Sequence, residues 1–306
     1  MGGEGSRIAS GGGRMGPVKV RIGIGLGQGD IGSDDLAEVM AAIDTHDLDS
    51  LWMSEILTSP GPDPLVALAS AAHLHPSLRL GATIVLPGRN PVRLAKALAT
   101  LDRLSGGRLL LTFVPGLPRG VESAAVGVPV ADRGAVMDAV LPKLRRWWAG
   151  EEVDGVRVLP RPVQDPLEPW LAGLAPASLR RCGRFADGWL GAFCTVDEAV
   201  AARDAINAAA DAAGREIDPE HFGMSIGYAV TPPDDAQLAA IAARTRGREI
   251  DPADVVPVGP AEVRRLLERF IEQGFSKFVL RPTRPSAAGW DTELGSLAAE
   301  VGRLQT

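Results

Sequence analysis

Apolar positions along this chain alternate between two periods. VKVRIGIGLG (18–27) is a Val/Ile run that closes on glycines, which predicts a strand. Leu36, Val39, Met40 and Ile43 then fall at i, i+3, i+4 and i+7, one face of a helix that Ser33 caps and that Asp34 and Asp35 open. The exchange repeats with strand SLWMS (50–54) and a helix from about 63 to 73. Strand LRLGATIVL (78–86) follows, then a helix started by Asn90 and Pro91 and stopped by Ser105, Gly106 and Gly107, then strand RLLLTFV (108–114). Residues 132–148 read as a helix bent at Pro142, and the Pro/Gly-rich stretch 150–168 has room for a small hairpin. Alternation resumes with EPWLAG (168–173), a helix over 176–185 and strand DGWLGAF (187–193). Thr195 and Glu198 form a capping box that opens an Ala-rich helix to about 213, ahead of strand HFGMSIGYAV (221–230). Residues 231–259 make a polar insertion with a helix near 235–243. Val263, Leu266, Leu267, Phe270 and Ile271 mark a further amphipathic helix, SKFVL (276–280) an eighth strand, and 290–304 a last helix.

Eight strands, nearly all followed by helices, predict an α/β chain whose parallel sheet closes into a (β/α)8 barrel, with an insertion between strands 7 and 8. The barrel domain spans 17–306. The Gly/Ser-rich residues 1–16 are expected to be a disordered leader, with Met15 a candidate start; they lack the apolar core of a signal peptide, so cytoplasm is the expected location.

Composition narrows the function classes. The 306 residues carry a net charge of −6 with Lys and Arg scattered, which argues against a nucleic-acid partner. No apolar run reaches the ~18–20 residues of a membrane span. Two cysteines, Cys182 and Cys194, give no framework and neither require nor forbid one bridge; four histidines in no ligand spacing point away from a metal.

Two glycine-rich turns compete as anion sites. Gly27-Gln28-Gly29-Asp30-Ile31-Gly32 matches the GxGxxG of a dinucleotide site, with Glu55 after the second strand as its acid. Asp34 and Asp35 at the following helix start oppose a pyrophosphate there, and eight strands exceed a six-stranded dinucleotide sheet. The turn Gly173-Leu174-Ala175-Pro176-Ala177-Ser178 leads instead into a helix with Arg180, Arg181 and Arg184, with no carboxylate in its first turn, which suits a phosphate.

Two longer segments carry a resemblance. LRLGATIVLPGRNPVRLAKALATLDRLSGGRLLL (78–111) and PRPVQDPLEPWLAGLAPASLRRCGRFADGWL (160–190) resemble the signatures of the luciferase-like monooxygenase family, and the likeness runs from Val18 nearly to the end of the chain. RIGIGLG, ADGW and AAGREIDPEHFG (212–223) are similar to its branch dependent on the deazaflavin coenzyme F420. The resemblance implies a barrel binding F420, or alternatively FMN. It implies cofactor contacts from Ala82 and Thr83, with a non-prolyl cis peptide between them, and from Gly116, Gly173, Leu174, Ala175, Ser178 and Tyr228. For Tyr228, core packing with a satisfied hydroxyl is the competing reading. Glu55 is the candidate acid/base, although Ile56 follows it where many members carry a histidine, and a salt bridge to a nearby arginine competes with that role. Arg119, Glu122 and Arg281 are candidates for substrate contact, and 231–259 for a lid. The implied activity is F420-dependent hydride transfer to or from a small organic substrate; an FMN-dependent monooxygenase and a catalytically degenerate cofactor-binding barrel are the alternatives, and a homodimer is the expected assembly.

Overall fold

The computed structural model describes residues 19–26, 33–245, 248–284 and 288–306, leaving aside the side chains of 33 and 34. Both the leader 1–16 and the GxGxxG turn 27–32 lie outside the described residues. Eight strands follow in order: β1 (Arg21–Leu26), β2 (Ser50–Ser54), β3 (Arg79–Val85), β4 (Leu109–Val114), β5 (Pro169–Leu171), β6 (Gly188–Ala192), β7 (Phe222–Tyr228) and β8 (Lys277–Pro282). They are parallel and close into one barrel, with β8 hydrogen-bonded to β1. The helices are α1 (Ser33–Thr45), α2 (Pro64–Leu74), α3 (Pro91–Leu104), α4 (Gly120–Ala125), α5 (Val130–Trp148), α6 (Pro176–Phe185), α7 (Val196–Ala212), α8 (Asp235–Thr245), α9 (Pro260–Glu272) and α10 (Trp290–Val301). A two-stranded hairpin, Glu152–Val153 with Val156–Arg157, occupies the Pro/Gly-rich stretch.

Alternation along the strands divides the apolar residues into two populations. Ile22, Ile24, Leu51, Leu80, Ile84, Leu111, Phe113, Phe278 and Leu280 face the helices and join the main core. Trp52, Leu190 and Val279, with Leu110 and Trp170 against them, form a separate cluster inside the barrel. Glycine makes room for both indoles: a Cβ on Gly81 would stand 2.0 Å from the Trp52 ring, and one on Gly188 2.4 Å from Trp170. The barrel is therefore filled at mid-height, and what lies above this layer is a cup rather than a channel.

The insertion between β7 and α9 carries α8 and a short 3₁₀ turn (Pro252–Asp254). It has its own small core of Ala229, Ile241, Val255 and Val256, against which Phe193, Ile250 and Val258 pack. Helix α4 has no counterpart in the sequence reading; its six residues are too few for a helical period to register.

Candidate functional site

The inward-facing positions at the C-terminal ends of the strands differ in kind from the layer below. They are Ser54, Thr83, Thr112, Ala172, Ala192, Ser225 and Arg281, with Gly25 on β1: small, hydroxylic, and one guanidinium. Thr83 and Thr112 are register partners on β3 and β4. Their hydroxyl oxygens are both buried, and among the described residues neither has a hydrogen-bond partner. A buried hydroxyl left unpaired costs roughly 1–3 kcal/mol, so two side by side in one cup mark a place shaped for a polar ligand edge.

Arg281 lies across the same cup. Its Nε donates to Ser225 Oγ at 2.6 Å and its Nη1 to Ser54 Oγ at 2.7 Å, which ties β8 to β7 and β2. Gly25 makes way for it, since a Cβ there would stand 2.7 Å from Arg281 Cγ. Burial, with the Arg244 charge adding to it, pulls the Arg281 guanidinium down to about 10. The sequence reading singled out Arg281 and Thr83, and the structure brings them into this cup. It missed Ser54, Thr112 and Ser225, whose signal is a hydroxyl residue at an inward register position near a strand's end. It also missed Arg244 on α8, for which the sequence offers no signal.

Glu55 follows β2 directly and is buried at 8% exposure. Its Oε2 accepts the Val85 N–H at 2.7 Å, and its Oε1 accepts a hydrogen bond from Arg89, whose guanidinium also lies 3.8 Å from Asp63. The structure thus shows the salt bridge that competed with an acid/base role. Glu122 is likewise committed: its two oxygens accept Leu57 N–H at 2.9 Å, Thr58 N–H at 3.0 Å and the Thr58 hydroxyl at 2.9 Å, clamping α4 onto the loop after β2. Arg119 is exposed at the start of α4.

The remaining sequence-predicted contacts separate. Ala82 is fully buried and faces the helices, and the expected cis bond to Thr83 is corrected: the cis peptides among the described residues are Leu159–Pro160 and Asp165–Pro166. Both residues instead sit in uninterrupted parallel register with β2 and β4, which a trans chain satisfies without a bulge. Gly116 (φ 81°) is packed around by Val85, Val126 and Arg133, so a side chain there would meet protein. Tyr228 is in the core, its hydroxyl donating to Glu293 on α10 at 2.5 Å; burial first, then the Glu293 charge, pushes its pKa well up. Gly173 has φ 110°, and its carbonyl accepts the Trp189 indole N–H at 3.1 Å, which anchors the turn ahead of α6. Ser178 N–H and Leu179 N–H both turn back onto the Ala175 carbonyl, at 2.7 and 3.1 Å, so the first turn offers fewer open donors than its sequence predicts. Of its arginines, Arg181 pairs with Asp138 at 2.6 Å, Arg184 stacks on Phe185, and Arg180 is exposed. Asn90 caps α3, accepting the Arg93 N–H at 3.0 Å.

Among the described residues no His, Cys, Asp and Glu are grouped to hold a metal, and no helix is long and apolar enough to cross a membrane. Cys182 and Cys194 are buried free thiols. None of the four histidines stands at the cup: His46 contacts Asp291 on α10, His73 is exposed on α2, His75 pairs with Asp44, and His221 precedes β7 beside the Asp187 carbonyl.

Comparison with known proteins bears on this geometry. The family model described as luciferase-like monooxygenase matches residues 17–275. An F420-dependent glucose-6-phosphate dehydrogenase of Nakamurella multipartita is 25% identical over 194 residues, 58% of this chain and 57% of that protein. The chain spans about half the length of the curated relatives it matches; an uncharacterized Mycobacterium tuberculosis protein is 35% identical over 140 residues, 42% of this chain and 49% of that one. Among solved structures, an F420-dependent secondary alcohol dehydrogenase in complex with an F420–acetone adduct superposes with a TM-score of 0.76 at 16% identity, over 94% of this chain and all of that one. The FMN complex of the oxygenating constituent of 3,6-diketocamphane monooxygenase from Pseudomonas putida gives a TM-score of 0.71 at 17% identity, over 94% of this chain and 99% of that chain.

Proposed function

The chain belongs to the luciferase-like monooxygenase family, and on that premise we propose that it is an oxidoreductase using coenzyme F420 for hydride transfer to or from a small organic substrate at the barrel cup. The observation that carries the reading is the pair of buried hydroxyls of Thr83 and Thr112, without partners among the described residues and set beside small side chains at the inward strand ends. The residues present fit a flat heterocycle with polar edges: two hydroxyls for its edge, Ala172 and Ala192 for space, and a floor of Trp52 and Trp170 that keeps water out from below.

When bound, F420 supplies two-electron hydride chemistry, whereas FMN also supports chemistry with oxygen. The protein's own contribution is orientation and dryness. Thr83 and Thr112 fix the register of what enters the cup, and Arg281, braced by Ser54 and Ser225, sets a positive edge opposite them. The Gly173–Ser178 turn lies at the C-terminal end of β5, the end at which barrel active sites form, and carries no carboxylate, so it can face a phosphate. Glu55 holds a proton acceptor next to the cup, but Arg89 and Val85 occupy both its oxygens, so proton transfer through it requires Arg89 to move. Hydride transfer places the smallest demand on such a residue, which favours it over chemistry needing a free acid.

The test is titration of the purified protein with F420 and, separately, with FMN, followed by ligand fluorescence. Tight F420 binding with weak FMN binding is expected. Tight FMN binding alone overturns the choice in favour of an FMN-dependent monooxygenase or reductase. Failure of both below about 100 μM, roughly −5.5 kcal/mol, leaves a degenerate barrel. Sedimentation velocity on the same sample tests the proposed homodimer.

A further inference from the structure

Two arginines of this protein are committed chiefly to backbone carbonyls. Arg133, 2% exposed, spends its donors on four carbonyls (Val128, Pro115, Leu117, Ser123) and the Ser123 hydroxyl. Arg108 does the same with the carbonyls of Ser105, His75, Leu78 and Ala72. These are structural: every fork ends on fixed backbone. Arg281 and Arg244 do not follow that pattern. Arg281 reaches two serine hydroxyls and, among the described residues, no carbonyl or carboxylate. Arg244 lies over the Phe193 ring at 5.0 Å and, among the described residues, has no ion pair.

The two converge on one place. Arg281 Nε is bonded to Ser225, whose register partner is Ala192; Phe193 is the next residue, and Arg244 covers its ring. Among the described residues, Glu55 is engaged by Arg89, Glu198 by Arg248 at 2.6 Å, and Asp234 by Arg284. Among the described residues neither cation has a carboxylate partner, and a partly buried cation gains from an anion that joins it. Planar forks on two sides of a cup suit an oxyanion, which accepts paired N–H donors.

We propose that the cup selects a small substrate bearing an oxyanion, carboxylate or phosphate, held between Arg281 on β8 and Arg244 on the inserted helix α8. The inference names the substrate class for the site proposed above and rests on that reading. It also gives the insertion a role: an anion bridging both guanidiniums draws α8 down over the cup.

Three probes of one size test it on the full chain without cofactor: benzoate, phenyl phosphate and neutral benzamide. Binding is read by calorimetry and by quenching of Trp52 and Trp170, which floor the cup. At least one anion is expected to bind about tenfold or more tighter than benzamide, as charge-assisted pairing requires, and the tighter anion tells carboxylate from phosphate. Arg244→Gln, on a helix outside the barrel, is expected to abolish most of that preference while F420 affinity stays within about threefold. Arg281→Lys keeps the charge but loses the fork, and is expected to weaken both anions. Equal binding of benzoate, phenyl phosphate and benzamide, or no binding of either anion up to millimolar levels, overturns the inference. So does a preference that survives Arg244→Gln. An anion preference in a protein that binds neither F420 nor FMN removes the functional reading alone; F420 binding without anion preference removes this inference alone.

Discussion

Arg89→Ala tests whether Arg89 fixes the Glu55 carboxylate in place. The Glu55 side chain is 4% exposed and that of Arg89 26%. Removing the arginine leaves a buried carboxylate with the Val85 N–H as its remaining donor at 2.7 Å. Breaking a fully buried pair costs about 3–5 kcal/mol; water reaches a quarter of Arg89, so the lower figure of about 2–3 kcal/mol applies. Glu55→Ala takes away the acceptor of a buried N–H and costs about 1–3 kcal/mol. The double variant removes the charge and its partner together, so its cost falls short of the sum by about 1–2 kcal/mol. Urea unfolding of the four proteins gives these differences directly, with thermal midpoints as a check at about 2–4 °C per kcal/mol or less for a chain of this size. Additivity within 0.5 kcal/mol, or a loss below about 1 kcal/mol for Arg89→Ala, refutes the picture of a carboxylate fixed by Arg89. If Glu55 also relays protons, Glu55→Gln lowers turnover while F420 affinity stays unchanged; unchanged turnover assigns it to anchoring alone.

Thr112→Val removes a buried hydroxyl that finds no protein partner, so the free protein gains about 1 kcal/mol by urea unfolding while F420 binds more weakly by calorimetry. Loss of stability instead would mean that the hydroxyl is satisfied within the protein. Glu122→Ala deletes three hydrogen bonds to Leu57 and Thr58 and is expected to cost about 2 kcal/mol and to speed proteolysis in the loop after β2. Burial pushes both thiols from 9.0 up to about 12, so neither Cys182 nor Cys194 reacts with a thiol reagent at pH 8 until denaturant is added. The sign of the pH effect follows: above pH 9 the unfolded thiols lose protons that the folded ones keep, so stability falls as pH rises from about 9 toward 12, approaching 1.4 kcal/mol per unit and thiol. Cys194→Ala flattens that slope between pH 9 and 10; an unaltered slope refutes the assignment.

The barrel was legible because its signals are local and repeated. Most strands are short apolar runs bounded by Gly or a capping residue, and most of the longer helices carry an apolar stripe, so β3 (Arg79–Val85) and α6 (Pro176–Phe185) fall where the pattern puts them. The pairing of β4 with β5 across more than fifty intervening residues follows only from closure. Much less of the site was legible. Glu55 and Tyr228 are polar residues at strand ends and Glu122 lies in the connection after β4, which is all the sequence shows; whether their atoms face a ligand or a neighbour depends on Arg89, Thr58 and Glu293, which lie 34, 64 and 65 residues away. Arg244 had no signal because an arginine in a polar helix looks the same whether it meets water or a cup.

The cup itself follows from barrel geometry more than from any motif. Inward positions come every second residue, so along a strand an inward residue of the filled interior is followed two residues later by one nearer the mouth. Trp52 and Ser54, Gly81 and Thr83, Leu110 and Thr112, and Val279 and Arg281 are four such pairs. In two of them a bulky apolar residue is followed by a small hydroxylic one, so the sheet closes below and opens above without any change of strand direction. Where the lower residue is Gly81, the Trp52 indole of the neighbouring strand fills its place, so the floor stays complete there too. The fourth pair inverts the size rule, a valine under an arginine, and this is the strand that meets Gly25 of β1, where the missing Cβ lets the guanidinium lie down across the opening. A single Gly25→Ala change is therefore expected to push Arg281 off Ser54, at a Cβ distance of 2.7 Å from Arg281 Cγ. Anion affinity should fall, and because the methyl also meets Val279 Cγ1 of the buried floor at 2.8 Å, some stability should go with it. If Gly25→Ala leaves anion and cofactor affinities both unchanged, the cup does not use the Arg281 position at all.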